Sequence, residues 1–168
     1  IGKEILPLSW QSLHHDNTLN NKDLVPSIII LTDAPQLANQ KGLLSEALFI
    51  IRTRFPSSLI WTPGIGGPDN CAILTWMGVD LFDLARSRHA SSIGVILSEN
   101  GPREIEDSLD EDSSMSSQIL AWKNSLAATR SAIRHGNLRE LVEKQAISSP
   151  RSVERLRIHD ARMSELDG

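Results

Sequence analysis

Short apolar runs alternate with longer amphipathic stretches over residues 27–97, and this alternation predicts the fold class. Four runs are candidate β-strands, and they lie at 27–31, 58–62, 79–84 and 92–97. The run Ser27–Leu31 is short and rich in isoleucine between Pro26 and Asp33, which is typical of a strand buried on both faces. Strands that alternate with helices indicate parallel βαβ units, so we predict an α/β fold. Periodicity alone leaves two architectures open: part of a (β/α)8 barrel, or a small doubly wound sheet.

Helical spacing fills the intervals between these runs. Leucine and isoleucine recur every three to four positions across 35–55, and Pro56 ends this predicted helix. A second helix is predicted from a cap at Asp69 to Met77, with Gly78 as its stop signal. The first 26 residues predict mainly loop with one short helix.

The chain divides into three regions by composition. Residues 1–98 form the predicted α/β region, which we interpret as part of a TIM-type barrel, and 99–117 are a polar, acidic and serine-rich linker. Residues 118–168 carry three amphipathic stretches, broken at Gly136 and restarted near Pro150. The predicted C-terminal segment is therefore α-helical.

Composition narrows the class of protein. A net charge of −4 argues against a strongly basic nucleic-acid binder, although a local basic stripe can still bind phosphates. The single cysteine, Cys71, excludes an internal disulfide and a cysteine-based zinc site within the chain, and favours a cytoplasmic protein. No apolar run reaches the ~18 residues of a transmembrane helix, so no membrane association is expected. The start at Ile1, without an initiator Met, leads us to expect a fragment of a longer protein.

Candidate chemistry lies at the carboxyl ends of the predicted strands, where parallel α/β folds place their sites. Asp83 ends the third run and could act as a nucleophile or base, or it could simply cap the next turn. The glycine loop 64–67 follows the second run, and its N–H groups could hold a phosphate, but a plain tight turn is the simpler interpretation. Arg86 and Arg88 follow Asp83 and are the preferred phosphate ligands, whereas the arginines of the tail fit a solvated helix face.

Two stretches resemble the tRNA-guanine transglycosylase family. The sequence Asn70–Asp83, with Gly-Val-Asp-Leu-Phe-Asp at its end, is similar to the helix and "G-x-D-x-F-D" strand of that family, and 61–68 resembles the preceding strand and glycine turn. The sequence Ile133–Glu143 looks like the "I-R-x-G-x-L-R-E-L-V-E" segment of the archaeal archaeosine branch. Together the matches span about residues 57–160, and they are nearest to the archaeosine-synthase-type paralogues.

The resemblance implies a (β/α)8 barrel that acts on the D-arm of tRNA in archaeosine biosynthesis. Asp83 matches the aspartate that attacks the ribose anomeric carbon in the family, and Gly66, Gly67, Arg86 and Arg88 would contact the substrate. The implied reaction class is a transferase reaction that replaces guanine by a deazaguanine base. The implied partners are tRNA and a transglycosylase-family or radical-enzyme subunit.

The chain also departs from the family pattern. The zinc cluster of three Cys and one His should lie between residues 98 and 125, where this chain has serine and acidic residues, so no metal cofactor is expected. The earlier barrel half, which carries a "D-S-G" carboxylate, is also missing from the matched region. Whether the chain is an active enzyme therefore stays open. A non-catalytic tRNA-binding or scaffold subunit is the main alternative, and an unrelated small α/β enzyme that binds phosphate at loop 64–67 is a third.

Overall fold

Three parallel strands form the central sheet of this computed structural model, which describes residues 4–15, 17–104 and 111–168. The strands are β1 (Ile5–Leu8), β2 (Ile28–Leu31) and β3 (Leu59–Trp61), in the spatial order β1-β2-β3. The predicted parallel α/β sheet is thereby confirmed. Over the described residues it is an open sheet and not a closed barrel.

Eight α-helices surround and extend this sheet in the described chain. Their bounds are α1 (Trp10–His15), α2 (Ala34–Ala38), α3 (Leu43–Arg54), α4 (Cys71–Trp76), α5 (Ala85–Ser92), α6 (Glu111–His135), α7 (Leu138–Ala146) and α8 (Pro150–Asp167). The three predicted C-terminal helices are confirmed as α6, α7 and α8. The predicted helix over 35–55 is interrupted, because Gly42 adopts a left-handed φ of 77° and begins α3 as a separate helix.

One face of the sheet forms the core. Alternate strand residues point to this face and are fully or almost fully buried, namely Leu6, Leu8, Ile29, Leu31 and Ile60. The same cluster contains Leu48 of α3, Val142 of α7 and Leu156 of α8. The C-terminal helices therefore pack against the α/β part and share its hydrophobic core.

The opposite face of the sheet is also apolar but partly uncovered. Strand pairing aligns Ile5 with Ile28 and Leu59 in one row, and Pro7 with Ile30 and Trp61 in the next. Ile5 is 52% exposed and Leu59 is 44% exposed. Parallel sheets are usually covered on both sides, whereas this face is partly exposed. We therefore call these six residues the open face.

Two of the four predicted strands take a different form. Over 79–84 the backbone makes only one parallel bridge, between Leu81 and Trp61. The Asp80 side chain explains why: its Oδ2 accepts the Ile60 N–H at 2.9 Å and takes the place of a backbone acceptor on a neighbouring strand. The prediction of a full strand at this position is wrong.

The fourth predicted strand exists but lies outside the parallel sheet. It is β4 (Val95–Ser98), and it pairs antiparallel with β5 (Gly101–Glu104) through a two-residue turn. Gly101 has a φ of 104°, which allows the sharp reversal. The segment 99–117, expected to be a linker, thus contains β5 and the start of α6 at Glu111, while 105–110 lie outside the described residues.

Candidate functional site

The loop from Thr62 to Pro68 leaves the carboxyl end of β3 and forms the floor of the candidate site. Gly64 adopts a left-handed φ of 79°, which turns the chain back over the end of the sheet. Asn70 fixes the loop from inside: its Nδ2 donates to the Ile65 carbonyl at 2.8 Å, and its Oδ1 accepts the Gly67 N–H at 2.7 Å. Because Asn70 is buried, these bonds hold the loop in one conformation.

Asp83 lies beside this loop and is partly buried. Its Oδ2 accepts the Gly64 N–H at 3.0 Å and the Trp61 Nε1–H at 3.1 Å. Its Oδ1 accepts the Ala85 N–H at 3.0 Å, at the start of α5. The carboxylate therefore ties the end of β3 to α5, and these are the contacts expected of a capping residue.

Gly66 is required by aromatic packing. A Cβ atom at this position would lie 2.6 Å from Cδ1 of Phe82 and 3.4 Å from Cη2 of Trp122. The two rings contact each other with their centroids 5.8 Å apart. The absence of a side chain at Gly66 thus lets α6, through Trp122, close over the loop.

Gly67 is enclosed by an ion pair. Arg86 donates from Nη1 and Nη2 to the two carboxylate oxygens of Asp69, at 2.5 and 2.7 Å. A Cβ at Gly67 would collide with the Arg86 guanidinium and lie 2.6 Å from Asp69 Oδ1. Asp69, predicted to cap α4, is therefore held by Arg86, and Asn70 immediately precedes α4 instead.

A cavity of about 200 Å³ opens on the other side of this loop. It lies between α2, the loop that follows β3 and the first turns of α8. Three arginines and one carboxylate are among its lining residues, namely Arg86, Arg151, Arg155 and Asp69. We call this cavity the arginine pocket.

The structure separates the predicted site residues into groups. Arg86 lines the arginine pocket, whereas Arg88 is exposed and does not line it. Asp83, Gly66 and Gly67 also lie outside the lining of the pocket, although Asp83 accepts a hydrogen bond from Gly64, which is one of the lining residues.

The sequence pattern assigned Arg151 and Arg155 to a solvated helix face, whereas both line the arginine pocket. The two arginines are four residues apart and follow the Ser149-Pro150 helix start, and this spacing was the signal that places them together on the first turns of α8.

The described residues contain neither a cluster of metal ligands nor a membrane-spanning helix. In that part of the chain no group of three or more His, Cys, Asp or Glu side chains is placed to share a metal ion. Part of the region expected to hold the family's zinc ligands, 105–110, is outside the description. None of the described helices combines the length and apolar character needed to cross a bilayer.

Comparison with known proteins finds a relative for much of the chain. The chain is 28% identical over 124 residues to archaeosine synthase of Methanocaldococcus jannaschii, and the match covers 73% of this chain. It covers 21% of the archaeosine synthase, so the chain spans about a fifth of the length of the curated relative that it matches. No family model matches the chain. The similarity agrees with the archaeosine-related part of the sequence resemblance.

Proposed function

We propose that this chain takes part in archaeosine modification of tRNA, as a tRNA-binding part of a protein similar to archaeosine synthase. The observation that carries the proposal is the 28% identity to archaeosine synthase across 73% of the chain. The motif 78–83 resembles the transglycosylase family, and the segment 133–143 resembles its archaeal archaeosine branch, which supports the same proposal.

We also propose that the sheet is part of a larger barrel of the TIM type. The open face supports this interpretation, because its two rows of apolar side chains have the character of the interior of a parallel barrel. The single bridge between Leu81 and Trp61 supports it as well, since it places the 79–84 segment next to β3 as a further strand would lie. Additional strands would bury Ile5 and Leu59.

The contacts of Asp83 favour a binding role over covalent chemistry in this chain. A nucleophilic carboxylate attacks the ribose carbon with an oxygen lone pair, and the three N–H donors bonded to Asp83 stabilise its anion and so lower its nucleophilicity. The second candidate function keeps Asp83 as the nucleophile of a base-exchange reaction. It is favoured by the position of Asp83 at the carboxyl edge of the sheet, next to the loop that borders the arginine pocket.

A denaturing gel with labelled tRNA separates the two candidates. We expect wild-type protein and Asp83→Asn to bind tRNA equally in a native gel, and neither to form a covalent adduct that survives denaturation. Asn is the matched change because it keeps one acceptor oxygen for the surrounding N–H groups. Glu99→Gln, an exposed position in the β4–β5 turn, is the control for loss of one negative charge.

Other results would decide against the first candidate. A covalent adduct that wild type and Glu99→Gln form and Asp83→Asn does not would establish Asp83 as the nucleophile. Absence of any tRNA binding by the wild-type chain would remove both candidates.

A further inference from the structure

The arginine pocket concentrates positive charge in a small, partly enclosed space. Its volume of about 200 Å³ is lined by three guanidinium groups and by a single carboxylate, that of Asp69. Serine and asparagine side chains supply the rest of its polar lining, from Asn39, Asn70, Ser149 and Ser152. A cavity with this lining is suited to an anion with several acceptor oxygens.

The charges inside the pocket are not balanced by the protein. Asp69 is fully engaged by Arg86 through two hydrogen bonds. Arg151 and Arg155 form no ion pair with any carboxylate in the described ranges. Burial lowers the pKa of Arg155, and the neighbouring charges of Arg151 and Arg86 lower it further. Among the residues that line the pocket, Asp69 alone carries a negative charge that opposes the repulsion among the three arginines.

The geometry of α8 increases this imbalance. Ser149 caps the helix by accepting the Ser152 N–H, and Arg151 lies in the first turn, where no acidic residue is present. The amino end of an 18-residue helix is electropositive, so cations there are unfavourable and anions are favourable. Arg155 is further held over the pocket, because its Nη2 donates to the carbonyl of Ala38 at 3.0 Å.

We propose that the arginine pocket binds a phosphate group, as free phosphate or as a phosphate ester. Arg151 and Arg155 would donate to its oxygens from α8, and Arg86 would hold the opposite wall through its pair with Asp69. The fork of donors on a guanidinium matches the geometry of a phosphate, and a bound anion would relieve the repulsion between the arginines. This inference stands apart from the proposed function, because the pocket can hold phosphate whether or not the chain binds tRNA.

Titration of the full chain with inorganic phosphate and with pyrophosphate, followed by ¹H–¹⁵N spectra, tests the proposal. We expect saturable shifts confined to amides of 64–70 and 149–155, with chloride at equal ionic strength as the reference. Arg151→Met should weaken phosphate binding by about tenfold, which is the effect of losing one strong charge-assisted contact. Arg157→Met is the matched control, since Arg157 is an exposed arginine on the same helix that does not line the pocket.

Arg155→Met is a second variant, and the result with Arg151→Met can be interpreted even if Arg155→Met does not fold. Arg155→Met should weaken binding at least as much, but Arg155 also bonds to Ala38, so its spectrum must first show a native fold. Absence of saturable phosphate shifts would overturn the proposal, as would equal weakening by Arg151→Met and Arg157→Met, which would mean diffuse surface binding.

Competition with tRNA identifies the source of the phosphate. If tRNA displaces pyrophosphate, the pocket takes a backbone phosphate of the nucleic acid. If pyrophosphate binds and tRNA does not displace it, the pocket serves a smaller phosphate ester; the phosphate site then stands, and the proposed function loses support.

Discussion

Replacing Arg52 with Met is expected to lower the free energy of unfolding by about 3 kcal/mol, because three carbonyl groups and one carboxylate lose their donor. Arg52 of α3 donates from Nη1 to the carbonyls of Pro56 and Ser58, at 3.2 and 2.8 Å. It donates from Nη2 to the Gly78 carbonyl and to Asp80 Oδ2, both at 2.7 Å. One side chain thereby connects α3 to the start of β3 and to the end of α4.

Most of that effect should come from the carbonyls. The ion pair with Asp80 is about one third exposed on both sides, and such pairs contribute less than ~1 kcal/mol. Asp80 also loses the cation that orients its carboxylate toward the Ile60 N–H, which weakens this hydrogen bond between β3 and the 79–84 segment. Urea unfolding followed by circular dichroism measures the change.

The control for this prediction is Arg134→Met, an exposed arginine of α6. We expect it to change the free energy of unfolding by at most ~0.5 kcal/mol, as is usual for a solvated position. If Arg52→Met were no more destabilising than Arg134→Met, the assignment of Arg52 as a structural connector would be wrong.

Gly66→Ala is the second large effect, with an expected destabilisation of about 2–3 kcal/mol from overpacking. The added Cβ would lie 2.6 Å from the Phe82 ring, and the ring is blocked behind by Trp122. Both aromatic rings are rigid and cannot change shape to make room, so the 62–68 loop or α6 must move. Thermal unfolding of the variant should show the loss as a lower Tm.

A double mutant separates overpacking from a loss of backbone freedom. In the Phe82→Leu background the added methyl meets a smaller and more adaptable side chain, so Gly66→Ala should cost much less than in the wild type. Equal costs in both backgrounds would show that the added methyl is opposed by Trp122 or by the loop around it, and not by Phe82.

The strands of the parallel sheet that the sequence predicted correctly are those with a continuous apolar run. Ser27–Leu31 and Ser58–Thr62 contain β2 and β3, whose core-facing side chains Ile29, Leu31 and Ile60 are fully buried. The strand β1 was not predicted, since Pro7 interrupts its apolar pattern. Pro7 is tolerated because β1 lies at the edge of the sheet in the order β1-β2-β3.

The errors in the site come from contacts that spacing does not encode. The pairing of Asp69 with Arg86 joins residues 17 positions apart, and the sequence gives no sign that it replaces a helix cap. The approach of Arg151 and Arg155 to Arg86 depends on how α8 packs across the end of the sheet. For Asp83 the sequence predicted the position but not the contacts. Its place after an apolar run predicted a carboxylate at the carboxyl edge of the sheet. Its three N–H partners are visible only in the structure.

The central claim is that the carboxyl edge of the parallel sheet faces tRNA. Photocrosslinking of a 4-thiouridine-containing tRNA to the full chain, with peptide mapping by mass spectrometry, tests it most directly. We expect crosslinked peptides from the loop 62–68 and from 149–155, on either side of the arginine pocket. Crosslinks confined to 21–27 and 55–58, at the amino ends of the same strands, would contradict it.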